Sequence, residues 1–506
     1  MLASVTTFAL EGLDSREVTV EVDVRRGLPA FTLVGLPDAS VREARERVRS
    51  ALLNSGLDFP LQRITANLAP TSVRKAGPGF DLAIAVAVLS ASGQVPALPP
   101  GVTALCGELS LSGALRPVRG VLAAAMGAKA GGYERLIVPE ENAGEAALVQ
   151  GLEVLAVGSL ERLVDLMHGR WEPPLPPASV APAAQPCLPD MADVRGQADA
   201  KRALEIAAAG GHHLLMVGPP GAGKTMVARR MPGILPPPSF DEALEITRVH
   251  SVAGLGAGVL AAERPFRAPH HTVSPQGLVG GGAHPRPGEV TLAHRGVLFL
   301  DELAEFARPA LEALRQPLED GAVEIMRGQR SLRFPAKAMF IAACNPCPCG
   351  LGPGRCNCSD GDRQRYQRRL SGPLMDRMDL VCQVAVPTAG QLVGDVPGKG
   401  GEPSRAIRAR VVAARAIQRA RLEDTAALCN GDMDARLTRR FCSIGGGSRK
   451  RLVHSIERGG LTGRGHDRVL RLARTIADLD GRDALSECDV EEALGYRVAA
   501  AERVAA

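Results

Sequence analysis

The sequence predicts an α/β protein in which a parallel-sheet core follows an α+β segment and precedes a helical one. Short apolar stretches alternate with helical patterns between residues 190 and 395, which favours a parallel sheet. Valines at alternating positions, beginning with Val18, Val20 and Val22, predict a strand near the start of the chain. Residues 404–506 lack strand patterns, so we expect them to be helical.

Two stretches rich in proline and glycine divide the chain. Residues 171–189 are proline-rich and predict an extended linker, and residues 396–403, VPGKGGEP, predict a shorter hinge. The expected units are therefore residues 1–170, 190–395 and 404–506.

The first unit combines strand and helix patterns. A helix is predicted from Asp38 or Ser40, either of which could cap it, to Gly56, which would stop it. Further strands are predicted in RITANLAP, TALCGELSL, RLIVP and EVLAV, between alanine-rich helices. This alternation is typical of an α+β or α/β domain.

Composition and hydropathy exclude a membrane protein. The 506 residues are 45% hydrophobic and 23% charged, as in globular chains. The most apolar segment, Phe80–Leu98, is interrupted by polar residues, and no secretory signal pattern opens the chain. We therefore expect a cytoplasmic protein without a membrane span.

Basic residues concentrate in the last unit. Residues 404–506 contain 20 Lys and Arg against 14 Asp and Glu, and the whole chain has a net charge of +5. Such a surface suits an anionic partner, although a solvated, arginine-rich helical surface would give the same count. The first helix expected there places four apolar residues on one face. They are Ile407, Val411, Ala414 and Ile417.

One motif carries the strongest functional signal. GPPGAGKT follows the apolar strand Leu214–Val217 and precedes a helical pattern that should run to Met231. Glycines in such a loop let backbone N–H groups surround phosphates, Lys224 can neutralise β- and γ-phosphate charge, and Thr225 can bind Mg²⁺. The predicted ATP-binding residues are Gly218, Pro219, Pro220, Gly221, Ala222, Gly223, Lys224 and Thr225.

A second apolar strand ends in two carboxylates. Val297–Leu300 is followed by Asp301 and Glu302. Asp301 is expected to complete the Mg²⁺ site, and Glu302 to orient and deprotonate the attacking water. Strands that end in acidic residues are common, but together with the phosphate loop this pair predicts ATP hydrolysis.

Longer motifs carry a family resemblance. Phe266–Leu303 and the segments LRQPLEDGAVEI, IAACNPCPCG, RYQRRLSGPLMDRMDL and GRGHDRVLRLARTIADL resemble the YifB/ComM family of magnesium-chelatase-like AAA+ ATPases. The resemblance covers essentially the whole chain. It implies a P-loop AAA+ core, a C-terminal helical lid and an N-terminal Lon-protease-like (S5-like) domain. It also implies a ring, with a homo-hexamer expected.

The resemblance assigns three further catalytic roles. Asn345 matches sensor 1, which contacts the γ-phosphate or the attacking water. Arg377 matches the arginine finger that reaches a neighbouring subunit's nucleotide, and Arg468 matches sensor 2 in the lid. A site that needs a neighbour's arginine explains why such proteins form rings. For either arginine, a surface salt bridge is the simpler alternative.

Two segments are expected at the pore of the ring. Residues 250–290 resemble the helix-2 insert, in which three histidines are expected to shape the segment rather than bind a metal. Gly321–Ala336 is predicted to form a hairpin whose arginines contact DNA phosphates, or simply an exposed basic turn. The histidines are His270, His271 and His284, and the arginines are Arg327, Arg330 and Arg333.

Four cysteines follow Asn345 closely. Cys347 and Cys349 form one C-x-C pair, and Cys356 and Cys358 form a second. In a reducing cytosol such a cluster is more often a metal site than a disulfide framework. Glycines and prolines between the pairs permit a turn, and four thiolates suit a tetrahedral, structural Zn²⁺ with no chemical role.

A peptidase activity is not expected of the first unit. Lon-type peptidases use a serine in a G-P-S-A-G context, activated by a lysine. The matching stretch RKAGPGFDLAIAV has Gly79 at the serine position. Lys129 has no identifiable hydroxyl partner, and Ser72 is an unsupported substitute. We expect this unit to organise the ring or to bind a partner that the sequence does not identify.

Three functions remain open. The resemblance implies a motor that translocates on, or branch-migrates, single-stranded or branched DNA in natural transformation and recombination. A chelatase motor is less favoured because the D-x-S-x-S metal motif of its partner subunit is absent. A protein-remodelling chaperone usually has an aromatic residue in its pore loop, and IMRGQRSL has none. We therefore favour DNA as the substrate.

Overall fold

The computed structural model describes residues 1–497 apart from several short gaps. The gaps are residues 37, 73–74, 76, 175–187, 257, 283–284, 328–329, 353–355, 371, 389, 391–400 and 458–460. Most of the predicted linker and hinge, and also His284, lie outside the described residues, so the unit boundaries stay predictions. None of the helices within the described ranges is long and apolar enough to cross a membrane.

Residues 2–167 form a seven-stranded mixed sheet covered by helices. Its elements are β1 (Leu2–Glu11), β2 (Asp14–Arg25), β3 (Ala30–Val34), α1 (Ala39–Asn54), β4 (Arg63–Ala69), α2 (Asp81–Ala91), β5 (Thr103–Leu105), β6 (Glu108–Leu109), β7 (Leu115–Arg116), α3 (Val121–Ala130), β8 (Arg135–Pro139), α4 (Glu140–Ala146), β9 (Glu153–Val157) and α5 (Leu160–Met167). The order of the seven-stranded sheet is β3-β4-β2-β1-β5-β8-β9, with β1, β2 and β4 antiparallel and β5, β8 and β9 parallel, and β6 and β7 pair separately. The predicted mixture of strands and helices is confirmed.

Local sequence explains most of these elements. Asp38 caps α1 by accepting a hydrogen bond from the Val41 amide at 2.9 Å, as predicted. The predicted strand TALCGELSL is divided into β5 and β6. Gly107 lies between them, and its backbone packs so closely against α2 that an added side chain would lie 2.9 Å from Leu82. The prediction missed β1, whose buried face carries small residues such as Ala3 and Ala9.

The middle of the chain forms a five-stranded sheet with helices and loops on both faces. Its elements are α6 (Ala198–Gly210), β10 (Leu214–Val217), α7 (Lys224–Ala228), α8 (Met231–Ile234), α9 (Phe240–Ala253), β11 (Phe266–Arg267), α10 (Pro275–Val279), β12 (Gly280–Gly281), β13 (Arg286–Pro287), α11 (Glu289–Leu292), β14 (Val297–Leu300), α12 (Arg308–Ala313), α13 (Arg315–Asp320), β15 (Ala322–Arg327), β16 (Arg330–Pro335), β17 (Met339–Cys344), α14 (Asp360–Arg369), α15 (Gly372–Met375) and β18 (Leu380–Gln383). The order of the five-stranded sheet is β11-β14-β17-β10-β18, and every neighbouring pair is parallel, while β12 with β13 and β15 with β16 form separate two-stranded sheets. The predicted parallel sheet is confirmed.

Two expectations about this region were wrong in detail. The helix that follows the phosphate loop ends at Ala228, before the predicted Met231, and a second short helix begins there with Pro232 in its first turn. Proline suits a first turn because it has no N–H to donate within a helix. The range 250–290, expected as an insert, contains the edge strand β11, so the additional elements begin after Arg267.

The described part of residues 404–497 contains helices and no strand, as predicted. The helices are α16 (Ser404–Arg421), α17 (Ala435–Phe441), α18 (Gly446–Glu457), α19 (Gly463–Leu479) and α20 (Glu487–Gly495). They pack on one face of the parallel sheet, where Val411 and Ile476 share a core with Leu214 and Met216, whereas Leu215 belongs to the core on the opposite face.

The buried face of α16 differs by one residue from the prediction. Ile407, Val411 and Ala414 are buried, but Ile417 is only half-buried and Gln418 takes its place. The Gln418 side chain is fully buried and donates to the carbonyl of Ala209 at 3.0 Å. A polar residue can complete this face because α6 offers a backbone acceptor.

The mixed-sheet unit rests directly on the parallel-sheet core. Leu13, in the turn between β1 and β2, belongs to the core on the α9 face of the parallel sheet. Nearby, the Gly120 amide donates to the Ser251 carbonyl of α9 at 3.1 Å. The first unit therefore contacts the α9 side of the parallel-sheet core.

We expect acid to destabilise this fold through a buried histidine. His212 is fully buried beside β10, its Nε2 lies 2.8 Å from the Thr475 hydroxyl, and burial lowers its pKa to about 3. The unfolded chain takes up a proton below about pH 6.5 and the folded chain does not. The free energy of unfolding should therefore fall, by up to about 1.4 kcal/mol per pH unit, as pH decreases from about 6.5 towards 3.

Thermal unfolding at about pH 7 and pH 5.5 measures this effect. His212→Gln should reduce the pH dependence, whereas the exposed-site control His454→Gln should not change it. An unfolding temperature that responds equally to pH in both variants would contradict this assignment.

Candidate functional site

Three predicted site segments meet at one edge of the parallel sheet. The phosphate loop follows β10, Asp301 follows β14 and Asn345 follows β17. Because the strands are parallel, their carboxyl ends lie at the same edge, where ligands bind in open α/β sheets. The sheet direction therefore brings together residues that are up to 127 positions apart, from Gly218 to Asn345.

The phosphate loop is shaped by close backbone contacts. A side chain at Gly218 would lie 2.2 Å from the Val384 carbonyl oxygen, so only glycine fits at the end of β10. Gly221 and Gly223 have φ angles of 77° and 87°, which other residues rarely adopt. Ala222 is buried, and its carbonyl accepts a hydrogen bond from the Gln197 side chain at 2.8 Å. The loop is thus held in one conformation by its own backbone.

Lys224 lies inside this loop and is only 9% exposed. Its Nζ donates to the carbonyl oxygens of Gly218 at 2.5 Å and Pro219 at 3.0 Å, and to Asn345 Oδ1 at 3.1 Å. Burial lowers the pKa of Lys224, and the nearby Asp301 carboxylate acts in the opposite direction. The lysine is therefore positioned between the loop and the predicted sensor residue.

Thr225 and Asp301 present adjacent oxygen atoms. The Thr225 hydroxyl donates to Asp301 Oδ2 at 2.6 Å, and the other carboxylate oxygen accepts from the Glu302 amide at 3.0 Å. A hydroxyl and a carboxylate are ligands that Mg²⁺ prefers when it also binds phosphates. The two side chains therefore fit the predicted Mg²⁺ site.

Glu302 adopts an unusual backbone conformation. Its φ angle is 52°, in the left-handed region, and its side chain is 58% exposed. Strained residues of this kind concentrate at functional sites. His271 Nδ1 lies 3.2 Å from Glu302 Oε2, so the histidine holds the carboxylate that was predicted to activate water.

The sequence interpretation missed this role of His271, which it treated as a shaping residue of the insert. The available signal was its position: His271 comes four residues after β11, the strand that pairs with β14. Polar side chains after neighbouring parallel strands meet at the same edge of the sheet, so this position pointed to a contact with the acidic pair after β14.

Asn345 is supported from a helix that the sequence did not connect to it. Its backbone carbonyl accepts a hydrogen bond from the Tyr366 hydroxyl of α14 at 3.0 Å, while its side chain contacts Lys224. Tyr366 is buried. No pattern near Tyr366 predicts this contact, because it depends on how the segment between β17 and α14 folds back.

The four clustered cysteines converge. The Sγ atom of Cys347 lies 3.3 Å from that of Cys349 and 3.5 Å from that of Cys356, and Cys349 and Cys356 are 3.8 Å apart at sulfur. All four sulfur atoms, including that of Cys358, lie within 4.8 Å of one another. The two C-x-C pairs therefore form one tetrathiol site, as the sequence predicted, beside the catalytic edge.

Backbone amides favour the thiolate form of one of these cysteines. Hydrogen bonds from the Leu351 and Asn357 amides lower the pKa of the Cys349 thiol to about 6. Thiolate, not thiol, is the form that binds metals. The backbone therefore favours a thiolate at Cys349, whereas burial raises the pKa of the neighbouring Cys347 thiol.

Arg377, the predicted arginine finger, and Arg468, the predicted sensor 2 residue, lie at the opposite edge of the sheet. Arg377 and Arg468 are near Asp379, which precedes β18 and accepts a hydrogen bond from the His213 amide ahead of β10 at 2.9 Å. Arg468 Nη1 donates to the Arg377 carbonyl at 2.7 Å and forms an ion pair with Asp379 at 2.5 Å.

Glu319 of α13 also pairs with these basic residues. It forms an ion pair with Arg377 and lies 3.2 Å from Arg464. The structure therefore brings Arg377 and Arg468 to each other. It does not bring them to Lys224 of the same chain, because the starts and the ends of the strands lie at opposite edges.

The predicted hairpin is confirmed. β15 and β16 pair antiparallel, with Ala322 opposite Pro335 and Arg327 opposite Arg330. Arg333 is exposed and lies opposite Glu324, which partly offsets its charge. The side chains of Arg327 and Arg330 lie outside the described part of the structure.

Lys129 and Gly79, the residues considered for peptidase chemistry, lie in different surroundings. Lys129 Nζ donates to the Gly151 carbonyl at 2.6 Å. A side chain at Gly79 would lie 3.7 Å from Val118, in ordinary contact. No contact described for these two residues links a nucleophilic hydroxyl to a lysine.

A P-loop on a parallel sheet, with carboxylates after a neighbouring strand and an all-helical segment packed on one face, defines an AAA+-type ATPase. Three family models match the chain: "Subunit ChlI of Mg-chelatase" at residues 20–142, "Magnesium chelatase, subunit ChlI" at 190–392 and "Magnesium chelatase, subunit ChlI C-terminal" at 401–497. ATPases of this family use a nucleotide and Mg²⁺.

Full-length relatives identify the branch. The chain is 42% identical over 500 residues to YifB of Escherichia coli and 42% identical over 503 residues to competence protein ComM of Haemophilus influenzae. Each match covers 98% of this chain and 97% of the relative. The chain belongs to the YifB/ComM family of magnesium-chelatase-like ATPases.

Similarity to Lon proteases is more limited. The chain is 27% identical over 206 residues to Lon protease of Rhizobium meliloti, which spans 38% of this chain and 25% of that protein. This match gives the predicted Lon-like N-terminal domain weak support, and that assignment stays a prediction.

Replacing Glu302 should separate nucleotide binding from hydrolysis. Glu302→Gln keeps the size of the side chain but removes the base, so we expect kcat to fall roughly 10²–10⁴-fold while nucleotide affinity stays within a few-fold. Steady-state hydrolysis and fluorescent-nucleotide titration measure the two quantities. Glu305→Gln, which changes a half-exposed acid three residues away, is the control and should hydrolyse ATP normally. Normal turnover by Glu302→Gln would remove Glu302 from the mechanism.

Proposed function

We propose that this protein is a ring-forming ATPase that couples ATP hydrolysis to translocation on, or branch migration of, single-stranded or branched DNA. The observation that carries the proposal is the antiparallel hairpin β15–β16, which bears arginines and is built into the ATPase core between α13 and β17. The 42% identity to a competence protein supports a role in natural transformation or recombination.

ATP hydrolysis would use the residues at the carboxyl edge of the sheet. Backbone amides within residues 221–225 bind the phosphates, since Pro219 and Pro220 have no N–H to donate, and Lys224 neutralises the phosphate charge. Thr225 and Asp301 would hold Mg²⁺, which when bound neutralises charge on the β- and γ-phosphates. Glu302 accepts the proton of the attacking water, and His271, at 3.2 Å, fixes the orientation of that carboxylate.

Asn345 would position the water or the γ-phosphate. Its Oδ1 accepts a hydrogen bond from Lys224, so its side-chain NH₂ group keeps its donors for a phosphate or water oxygen. Tyr366 holds the Asn345 backbone in place, so its hydroxyl acts as a positioning group and not as a catalytic one.

The position of the arginines supports a ring. Arg377 and Arg468 lie at the sheet edge away from Lys224, so each subunit would present them to the nucleotide of its neighbour. Arg377 is 8% exposed and paired with Glu319, and a neighbour's phosphates would replace that carboxylate as its partner. Six subunits are the number that the family resemblance implies.

Protein remodelling or a chelatase-like action on a protein partner is the second candidate. The family models that match are named for a magnesium chelatase subunit. Against this alternative, the described residues of the hairpin strands include no exposed aromatic side chain, since Phe334 is buried. A DNA-dependence experiment distinguishes the two candidates.

We expect DNA to stimulate hydrolysis in a salt-sensitive way. ATP turnover is measured with single-stranded and branched DNA at increasing salt, because each phosphate contact adds about 0.7–0.9 to the salt slope of binding. Arg333→Ala should weaken DNA binding and reduce that slope by about one. Arg308→Ala removes an arginine whose side chain is 86% exposed outside the hairpin, and should not. Turnover that is indifferent to DNA would overturn the DNA proposal and favour a protein substrate.

A mixing experiment tests whether Arg377 acts between subunits. Arg377→Ala and Glu302→Gln proteins should each hydrolyse ATP poorly, since an arginine finger contributes about 10³–10⁵-fold in other nucleotide hydrolases. Mixed rings contain interfaces where an intact Glu302 faces an intact Arg377 of its neighbour, so mixing should restore part of the activity. As a control, Glu302→Gln is mixed with Lys224→Ala,Arg377→Ala, which leaves no complete interface. Failure of the first mixture to recover activity would show that Arg377 does not act in trans.

A further inference from the structure

The tetrathiol site has the dimensions of a single tetrahedral metal ion. Zn–S bonds of about 2.3 Å place tetrahedral sulfur ligands about 3.8 Å apart. The contacts among Cys347, Cys349 and Cys356 are 3.3, 3.5 and 3.8 Å at sulfur, and no pair in the cluster of four exceeds 4.8 Å. These separations are too long for a disulfide, whose sulfurs lie about 2.05 Å apart. Four thiolates around one centre suit Zn²⁺.

Backbone amides around the sulfurs reinforce this fit. The Cys349 amide donates to the Cys358 sulfur, and the Cys358 amide donates to the Cys356 sulfur, both at 3.4 Å. Such outer contacts orient ligands and stabilise the negative charge of coordinating thiolates. The two C-x-C pairs are therefore tied to each other by the backbone as well as by the convergence of their sulfurs.

The cysteine loop lies against the phosphate loop. A side chain at Gly350, between the first two cysteines and the second two, would lie 2.7 Å from Pro220. Gly350 has a φ angle of 78°, and its amide donates to the Cys347 carbonyl at 3.0 Å. The conformation of the turn that carries Cys347 and Cys349 therefore determines how closely the cysteine loop approaches the phosphate loop.

The same loop is connected to Asn345 at both of its ends. Asn345 comes two residues before Cys347, and α14 begins two residues after Cys358 with Ser359 as its cap. Tyr366 of α14 returns to the Asn345 carbonyl at 3.0 Å. The cysteine cluster therefore closes a loop that starts and finishes at the predicted sensor residue, whose side chain contacts Lys224.

We propose that Cys347, Cys349, Cys356 and Cys358 bind one Zn²⁺, and that this ion holds the phosphate loop and Asn345 in the arrangement that binds nucleotide. Binding releases the thiol protons to solvent and involves no electron transfer. Zinc occupancy then sets nucleotide affinity, although the metal contacts neither nucleotide nor water. This inference rests on the nucleotide site proposed above, and not on DNA as substrate.

The first measurement is the metal content of the purified full-length protein. Elemental analysis should give one zinc per chain in a colourless protein, since a bound iron centre would absorb visible light. A Cys356→Ser,Cys358→Ser variant should lose the metal. Cys488→Ser changes an exposed cysteine in α20 and should retain it. Metal-free protein as isolated, or disulfides within the cluster found by mass spectrometry, would overturn the proposal.

The second measurement tests the coupling and avoids dependence on variants that could misfold. Zinc is removed from the wild-type protein with a zinc-selective chelator, Mg²⁺ is kept in excess, and the affinity for a fluorescent ATP analogue is measured before removal, after it, and after zinc is restored. We expect the affinity to fall roughly 5- to 150-fold and to recover, the range typical of coupled sites. Unchanged affinity in the zinc-free protein would overturn the coupling.

Gly350→Ala tests whether the contact with Pro220 transmits the effect of zinc to nucleotide binding. The added methyl group should press on Pro220 and weaken nucleotide binding while zinc content stays at one per chain. Gly481→Ala is the matched control, because Gly481 also has a positive φ angle, 67°, but nothing lies within 4 Å of the new methyl group, and it should change neither quantity. If Gly350→Ala binds nucleotide as tightly as the wild type, the contact does not transmit the effect and the proposal fails.

The outcomes remain distinguishable from those for the proposed function. Wild-type protein that carries one zinc but binds no nucleotide would overturn both proposals. Zinc-dependent nucleotide binding together with hydrolysis that ignores DNA would overturn only the DNA motor.

Discussion

The common direction of the five core strands is the constraint on which the active site depends. β10, β14 and β17 all end at one edge, so the phosphate loop, Asp301 with Glu302, and Asn345 converge without any local sequence contact between them. Close packing then fixes the detail: the Val384 carbonyl leaves no room for a side chain at Gly218. With the loop so restricted, Lys224 reaches both its own loop carbonyls and Asn345.

The same strand direction divides the predicted catalytic residues between two edges. Groups that follow strands lie with the nucleotide site, whereas Arg377 and Arg468, which assemble around Asp379 ahead of β18, lie at the opposite edge. A single chain cannot bring both sets to one phosphate without breaking the sheet. In the ring proposed above, a neighbour would supply these arginines without any strand having to move. The Glu319–Arg377 pair keeps the guanidinium neutralised within the subunit.

Loops outside the sheet position the catalytic groups, and each is also connected to another part of the molecule. His271, which holds Glu302, belongs to the segment after β11. The cysteine loop, which lies on Pro220, leads through α14 back to Asn345. The first unit contacts α9 and places Leu13 in the core that also includes the base of the hairpin. These contacts connect the hairpin and the first unit to the sheet that carries the nucleotide site.

The sequence by itself determined the elements and the chemistry of the site. Loop glycines, a lysine and a threonine at fixed spacing, and an apolar strand before two carboxylates are local patterns. They predicted the sheet class, the phosphate loop, the hairpin and the tetrathiol cluster. Such patterns reflect backbone conformation and burial, which depend on near neighbours in the chain.

Only the tertiary structure decided which distant groups meet. The contacts of His271 with Glu302, Tyr366 with Asn345 and Gly350 with Pro220 join segments that no periodicity links. Gln418 replaced Ile417 on the buried face of α16 because α6 offered a carbonyl there. The grouping of Arg468 with Arg377 likewise follows from strand direction and helix packing. These pairings are properties of the packed chain, and for that reason no local pattern predicted them.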